Sequence, residues 1–245
     1  MITLRKNTER LRIKSGKHDS WLTFYPHERP DQATEDFGPV TAFNEVLLAP
    51  GGTSAALPRG EAEVVTYAYK GALAQEDSNG NSGVVYAGEF QRMSTGRGVR
   101  HKETNPSRTD CAHLFRISLR PSEVGIDCVH EQKRFPAAQR HNVLCVIASA
   151  DGRNGSLRIQ QDAFIYSSVL DPGHHVVHEL LPGRCVWLHV IHGEATLQDI
   201  VLTQGDGVGV TTEPSVSLTA LENAEVLLVD SAPMPLAEPK PDTRR

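Results

Sequence analysis

Residues 62–90 read "AEVVTYAYKGALAQEDSNGNSGVVYAGEF". Val64, Val65, Thr66, Tyr67 and Tyr69 are β-branched or aromatic, and the run closes at Gly71. Such residues fit a pleated, half-buried surface, so the run predicts a strand. The Asn79-Gly80 step is a turn signal, and a second β-rich run over 83–90 brings the chain back. Further runs of the same texture occupy 111–119, 141–149, 163–170, 184–193, 195–202, 207–212, 216–221 and 224–230. Helical periodicity is hard to find anywhere. Many short strands at this spacing predict an all-β sandwich or barrel.

A weak internal repeat doubles that unit. "YAYKGALA" and "VVYAGEFQRMS" in the first half parallel "HVIHGEATL" and "VLTQGDGVGVT" in the second. Two similar β-units imply two stacked barrels. The expected boundary lies near the charged, proline-containing connector "EQKRFPAAQR" (131–140), giving one barrel over 1–135 and another over 136–232. The Pro-rich, polar segment 233–245 is expected to be a disordered tail.

Hydrophobic residues make up 39% of the 245 and charged residues 22%, which places the chain among ordinary globular proteins. A net charge of −5 provides no basic field and argues against direct nucleic-acid binding. No apolar run is long enough to span a bilayer, so no membrane partner is expected. The first residues have charges and no apolar stretch of the secretory kind, and a cytoplasmic location is the expectation. Cys111, Cys128, Cys145 and Cys185 form no CxxC pair and read as free thiols.

His101 and Glu103 stand two apart, so on a strand they share one face. An imidazole beside a carboxylate suits Fe, Mn, Ni, Cu or Zn, but His-x-Glu pairs are also common on surfaces. If 57–63 is extended, Leu57, Arg59, Glu61 and Glu63 share a face too. The histidine-dense stretch 171–193 contains His174, His175, His178, His189 and His192. His189 and His192 fall on opposite faces of a continuous strand, and His174 and His175 in a Pro-Gly turn, so solvated turn and edge histidines are the expectation there. The Gly-rich, basic "STGRGVRH" (94–101) lacks the P-loop pattern and reads as a tight turn. No GxSxG or HExxH motif is present.

Three stretches carry a resemblance: "FGPVTAFNEVLLAPGG" (37–52), residues 63–107 around "DSNGNSG…AGEFQRMSTGRGVRHKE", and "NGSLRIQQDAFIYSSVL" (154–170). Together they resemble the pirin family of bicupins, and in particular the bacterial pirin-like quercetinases. The resemblance implies two tandem cupin barrels of the double-stranded β-helix (jelly-roll) kind. It also implies a single divalent metal in the first barrel, iron in many members, bound by three histidines and a glutamate. Carried over residue by residue, two of those ligands are His101 and Glu103, and the other two fall on Leu57 and Arg59.

Leu57 cannot coordinate, and the Arg59 guanidinium is cationic with no lone pair to give. The pocket expected from the resemblance is therefore Leu57, Arg59, His101 and Glu103, a residual half-site with no tightly bound metal. Arg59 is expected to stand in for the metal's charge and to pair with Glu103 through a bidentate fork. Two functions follow. One is a divergent member that binds a small aromatic or anionic ligand, or a protein partner, through that pocket. The other is a metal-dependent quercetin 2,3-dioxygenase in which Glu103 serves as base. A third reading moves the metal to His178 and Glu179 in the second barrel.

Overall fold

Along residues 112–119, Leu114, Arg116 and Ser118 alternate with Phe115, Ile117 and Leu119, and every one of the six is buried. A strand with both faces covered lies between two interiors. The computed structural model describes residues 1–24, 37–54, 62–78, 80–94, 101–122 and 129–232, and in it this strand separates the inside of one barrel from a seam shared with a second. Leu57, Arg59 and the segment 233–245 lie outside the described residues.

The first half contributes β1 (Ile2–Arg5), β2 (Leu11–Ser15), β3 (His18–Leu22), β4 (Val40–Leu48), β5 (Glu63–Lys70), β6 (Ala72–Asp77), β7 (Ser82–Tyr86), β8 (Glu89–Ser94), β9 (His101–Thr104), β10 (Ala112–Leu119) and β11 (His130–Arg134). A single helical turn, α1 (Ala137–Arg140), links these to the second half. There follow β12 (Cys145–Ser149), β13 (Leu157–Arg158), β14 (Ala163–Leu170), β15 (His175–Glu179), β16 (Cys185–His192), β17 (Glu194–Leu197), β18 (Ile200–Thr203), β19 (Gly207–Thr211), β20 (Ser215–Ala220) and β21 (Ala224–Ser231). The connector expected at 131–140 is thus β11 and α1.

Each half builds a seven-stranded and a smaller sheet. The orders are β11-β8-β5-β10-β4-β3-β2 with β7-β6-β9, and β1-β19-β16-β21-β14-β12-β13 with β15-β20-β17-β18. The repeat in the sequence therefore corresponds to a repeat in space, with β5, β6 and β10 matching β16, β17 and β21. Its glycines have a common cause. Gly71 and Gly193 hold φ near +75° and +78°, and a Cβ on either would meet backbone at 2.7 Å (Cys111 O) or 2.1 Å (Asn223 O). Only glycine fits there. One feature breaks the symmetry: β1 joins the second half's sheet through β19, while β2 joins the first half's.

Three apolar clusters result. Val46, Leu48, Ala68, Leu73, Val85, Ala112 and Leu114 fill the closed end of the N-terminal barrel. The C-terminal barrel is filled by Leu170, Val186, Leu188, Leu202, Val208, Leu218 and their neighbours. The largest cluster lies between the two large sheets, where Phe43, Tyr67, Phe90 and Phe115 meet Ile147, Ile165, Trp187, Leu227 and Val229. At about 1.5–3 kcal/mol per large apolar side chain, this seam is a main source of stability. It is closed on one side by a polar clamp: Tyr67 and Arg140 both donate to Glu225 Oε1 at 2.6 Å, and Arg140 also donates to Ser167 and to the Phe135 carbonyl.

Candidate ligand or metal site in the N-terminal barrel

β9 is short and pairs with β6, setting His101 opposite Asp77 and Glu103 opposite Gln75. His101 and Glu103 share the inward face, as their spacing predicts. Glu103 is 3% exposed and His101 half-buried. Across the barrel, β10 carries Arg116 in register with Asn44 on β4 and Thr66 on β5. Arg116 follows the inward alternation of Leu114, so its guanidinium enters the barrel above the apolar end.

There it meets Glu103. Arg116 Nη2 donates to Glu103 Oε2 in a short charge-assisted bond, and Nη1 donates to Ser54 Oγ at 2.7 Å. The Ser54 backbone N–H donates in turn to the Glu103 carbonyl at 2.9 Å. His18 on β3 stands close to both charges. Burial first, and then the Arg116 charge, pull its proton affinity below the ordinary histidine value, against the opposing pull of Asp19 and Glu103. Around this pair, Glu103 Oε1, Arg116 Nε, Gln75 Oε1, Asn44 Oδ1 and Gln91 Nε2 are buried without a hydrogen-bond partner among the described residues. Buried polar atoms are normally satisfied, so so many unmatched at one end of a barrel mark a place suited to water or a ligand. His101 also lines a small recess with Asp77, Met93 and His130.

Sequence reasoning singled out His101 and Glu103, and the fold brings them together. It missed Arg116, Ser54, His18 and Gln75. The pairing expected for Arg59 falls outside the described residues; among the described residues, the Arg116 guanidinium reaches Glu103. Arg116 lay hidden in "CAHLFRISL", where the only signal was one cation amid inward-facing apolar positions.

The donor set does not fit a tightly held divalent ion. One oxygen of Glu103 is committed to a guanidinium, whose positive charge repels a cation at the same place. Among the described residues, no group of three or more His, Cys, Asp or Glu side chains converges on one point. At the two remaining positions implied by the family resemblance, the sequence has Leu57 and Arg59.

The histidines of the second half need correction. His174, His175 and His192 are exposed as expected, but His178 and His189 are not solvated. His178 Nε2 bonds Asp230 at 2.7 Å, and Asp230 also accepts from Arg184 Nε. His189 is fully buried. His178 is thus held in a structural ion-pair cluster, and Glu179 beside it points to the other face of β15 and is exposed. The strand matching β9 in this barrel is β20, where Val216 and Leu218 face inward.

Comparison with known proteins agrees with this architecture. Residues 6–118 match the Pirin family model, and residues 146–231 match the model for the quercetinase C-terminal cupin domain. The chain is 36% identical over 234 residues to a protein of Escherichia coli K12 named quercetin 2,3-dioxygenase, covering 96% of this chain and 100% of that one. A Caulobacter vibrioides pirin-like protein is 29% identical and covers 90% of this chain and 93% of its own. Among solved structures, E. coli YhhW superposes with a TM-score of 0.89 at 36% identity, covering 96% of this chain and 99% of that one. A structure of YhhW in complex with nickel(II) gives 0.87 at 34%, covering 96% and 100%.

Proposed function

The chain belongs to the pirin family of bicupins, and from that premise we propose that it is a divergent member whose N-terminal barrel binds a small organic ligand without a tightly bound metal. The observation that carries this reading is the Glu103–Arg116 pair: a carboxylate at a family metal-ligand position is engaged by a guanidinium braced on Ser54. Arg59, where the family resemblance implies a histidine, adds a second cation in sequence. Its pairing with Glu103, in place of a metal's charge, remains part of the proposal.

The chemistry left to such a site is recognition. Glu103 Oε1 can accept a phenolic or enolic O–H, and Arg116 Nε can donate to a ligand oxygen. Expected ligands are therefore small aromatic or anionic molecules; a protein partner is compatible with the same loss of chemistry. Cytoplasmic residence is part of the proposal, and among the described residues no helix is long and apolar enough to cross a membrane.

The second reading is a metal-dependent quercetin 2,3-dioxygenase. It is favoured by the 36% identity to the E. coli protein of that name and by the retention of His101 and Glu103. The test is to titrate chelator-treated protein with quercetin, with and without added nickel(II), while recording binding and oxygen uptake. The proposal expects binding without oxygen uptake in both conditions. Nickel-dependent oxygen uptake at stoichiometric metal would overturn it.

A further inference from the structure

His189 on β16 points into the seam between the two large sheets. It is fully buried, and among the described residues neither ring nitrogen has a hydrogen-bond partner. The ring lies 4.3 Å from Phe43 and 6.3 Å from Phe115, centroid to centroid. A neutral imidazole has one donor and one acceptor to satisfy, and here both go unmet. An imidazolium would place two donors and a full charge against the same apolar walls.

Among the described residues, the charged groups on the elements around His189 have partners elsewhere. Arg10, on the strap between β1 and β2, donates to Glu45 on β4 at 2.8 Å and to the Trp21 carbonyl. His113 on β10 takes the other oxygen of Glu45 at 2.7 Å. Asp206, just before β19, accepts from the Asn7 and Thr203 N–H groups and pairs with Lys6. Glu225 on β21 is occupied by Arg140 and Tyr67. These acids are already committed, and the neighbouring Arg10 cation repels a second charge. Burial first, and then Arg10, hold the ring's proton affinity well below the ordinary histidine value.

We propose that His189 is an acid-sensitive latch between the two barrels: the seam closes over the neutral ring, and an opened seam lets the ring take up a proton. The closed state binds fewer protons than the open one, so falling pH favours opening. Below about pH 6.5 the open-to-closed ratio rises roughly tenfold per pH unit for as long as the closed-state ring stays neutral. Glu45 and Asp206 are held below their ordinary values, and their loss adds only at lower pH. Glu63, at the far end of the seam, is pushed up by burial and acts in the opposite sense. The latch reaches the N-terminal barrel directly. Phe43 and Phe115 touch His189, and the next residues on the same strands, Asn44 and Arg116, face the candidate site.

The chain has two tryptophans, and Trp187 lies in the seam, 4.7 Å from Phe24 and packed over Gly207. In a Trp21→Phe background, Trp187 emission and far-UV circular dichroism are followed from pH 7.5 to 4. The expected result is a reversible red shift with its midpoint between about pH 6.5 and 4.5 and the far-UV signal retained. His189→Phe should move that midpoint down by about one pH unit or more. An unchanged midpoint in His189→Phe, or no Trp187 shift before the far-UV signal collapses, would overturn the latch. Should that variant not fold, histidine-labelled NMR of the unmodified chain decides: the His189 ring must titrate in the same step as Trp187, and titration without an emission change overturns it.

Discussion

Glu103 and Arg116 meet inside the N-terminal barrel with side-chain exposures of 3% and 8%. Removing one partner of such a pair leaves an unpaired buried charge, at a cost of about 3–5 kcal/mol, whereas removing both together costs less. Arg116→Leu is therefore expected to lower stability by that amount in urea unfolding, and Glu103→Gln with Arg116→Leu to recover a large part of it. Additive losses would mean that the two charges do not interact. At this scale the sequence was informative where chemistry had a spacing: His101 and Glu103, two apart, announce a shared face. It was silent about Arg116, whose role depends on a partner 13 residues away across the barrel. It misjudged His178 and His189, because a histidine in a dense cluster gives no sign of whether its strand faces solvent or a second sheet.

The strand-to-strand turns after β5 and β16 are the elements that make the two halves alike. Gly71 and Gly193 each hold a positive φ against the backbone of the strand that follows in the sheet. Gly193→Ala combines a left-handed backbone with a 2.1 Å approach to Asn223 O and is expected to cost about 3 kcal/mol. Gly16→Ala, at φ +55° in open space, should cost about 1 kcal/mol. Thermal unfolding of the two variants checks the difference, and equal losses would contradict it. Most of these elements were legible: β5, β10, β14, β16 and β19 fall within the β-rich runs, and β20 and β21 match theirs to within one residue, because alternation and turn residues are local signals. The crossing of β1 into the second half's sheet was not, since a four-residue strand carries no mark of which sheet it joins.

At the scale of the molecule, two barrels share one seam, held at its margins by the Arg10–Glu45–His113 and Tyr67–Arg140–Glu225 networks. Burial alone would raise the Glu45 carboxyl, but His113 and Arg10 outweigh it and hold it below the ordinary value. Glu45 therefore adds stability above the unfolded-state value and loses it as pH falls through the folded one. Chemical unfolding at pH 6, 5, 4 and 3 should show a shallower loss below pH 5 for Glu45→Gln than for the unmodified chain; parallel curves would exclude this contribution. Two barrels were foreseeable from the repeat, but a seam rich in titratable groups was not, because its residues come from both halves. In the first barrel, the Arg116 guanidinium holds the carboxylate that the family resemblance assigns to a metal. The metal content of untagged protein purified without chelator, by plasma mass spectrometry, tests the proposed replacement most plainly. Far less than one Fe, Ni, Cu, Mn or Zn per chain is expected; near-stoichiometric metal would contradict the replacement.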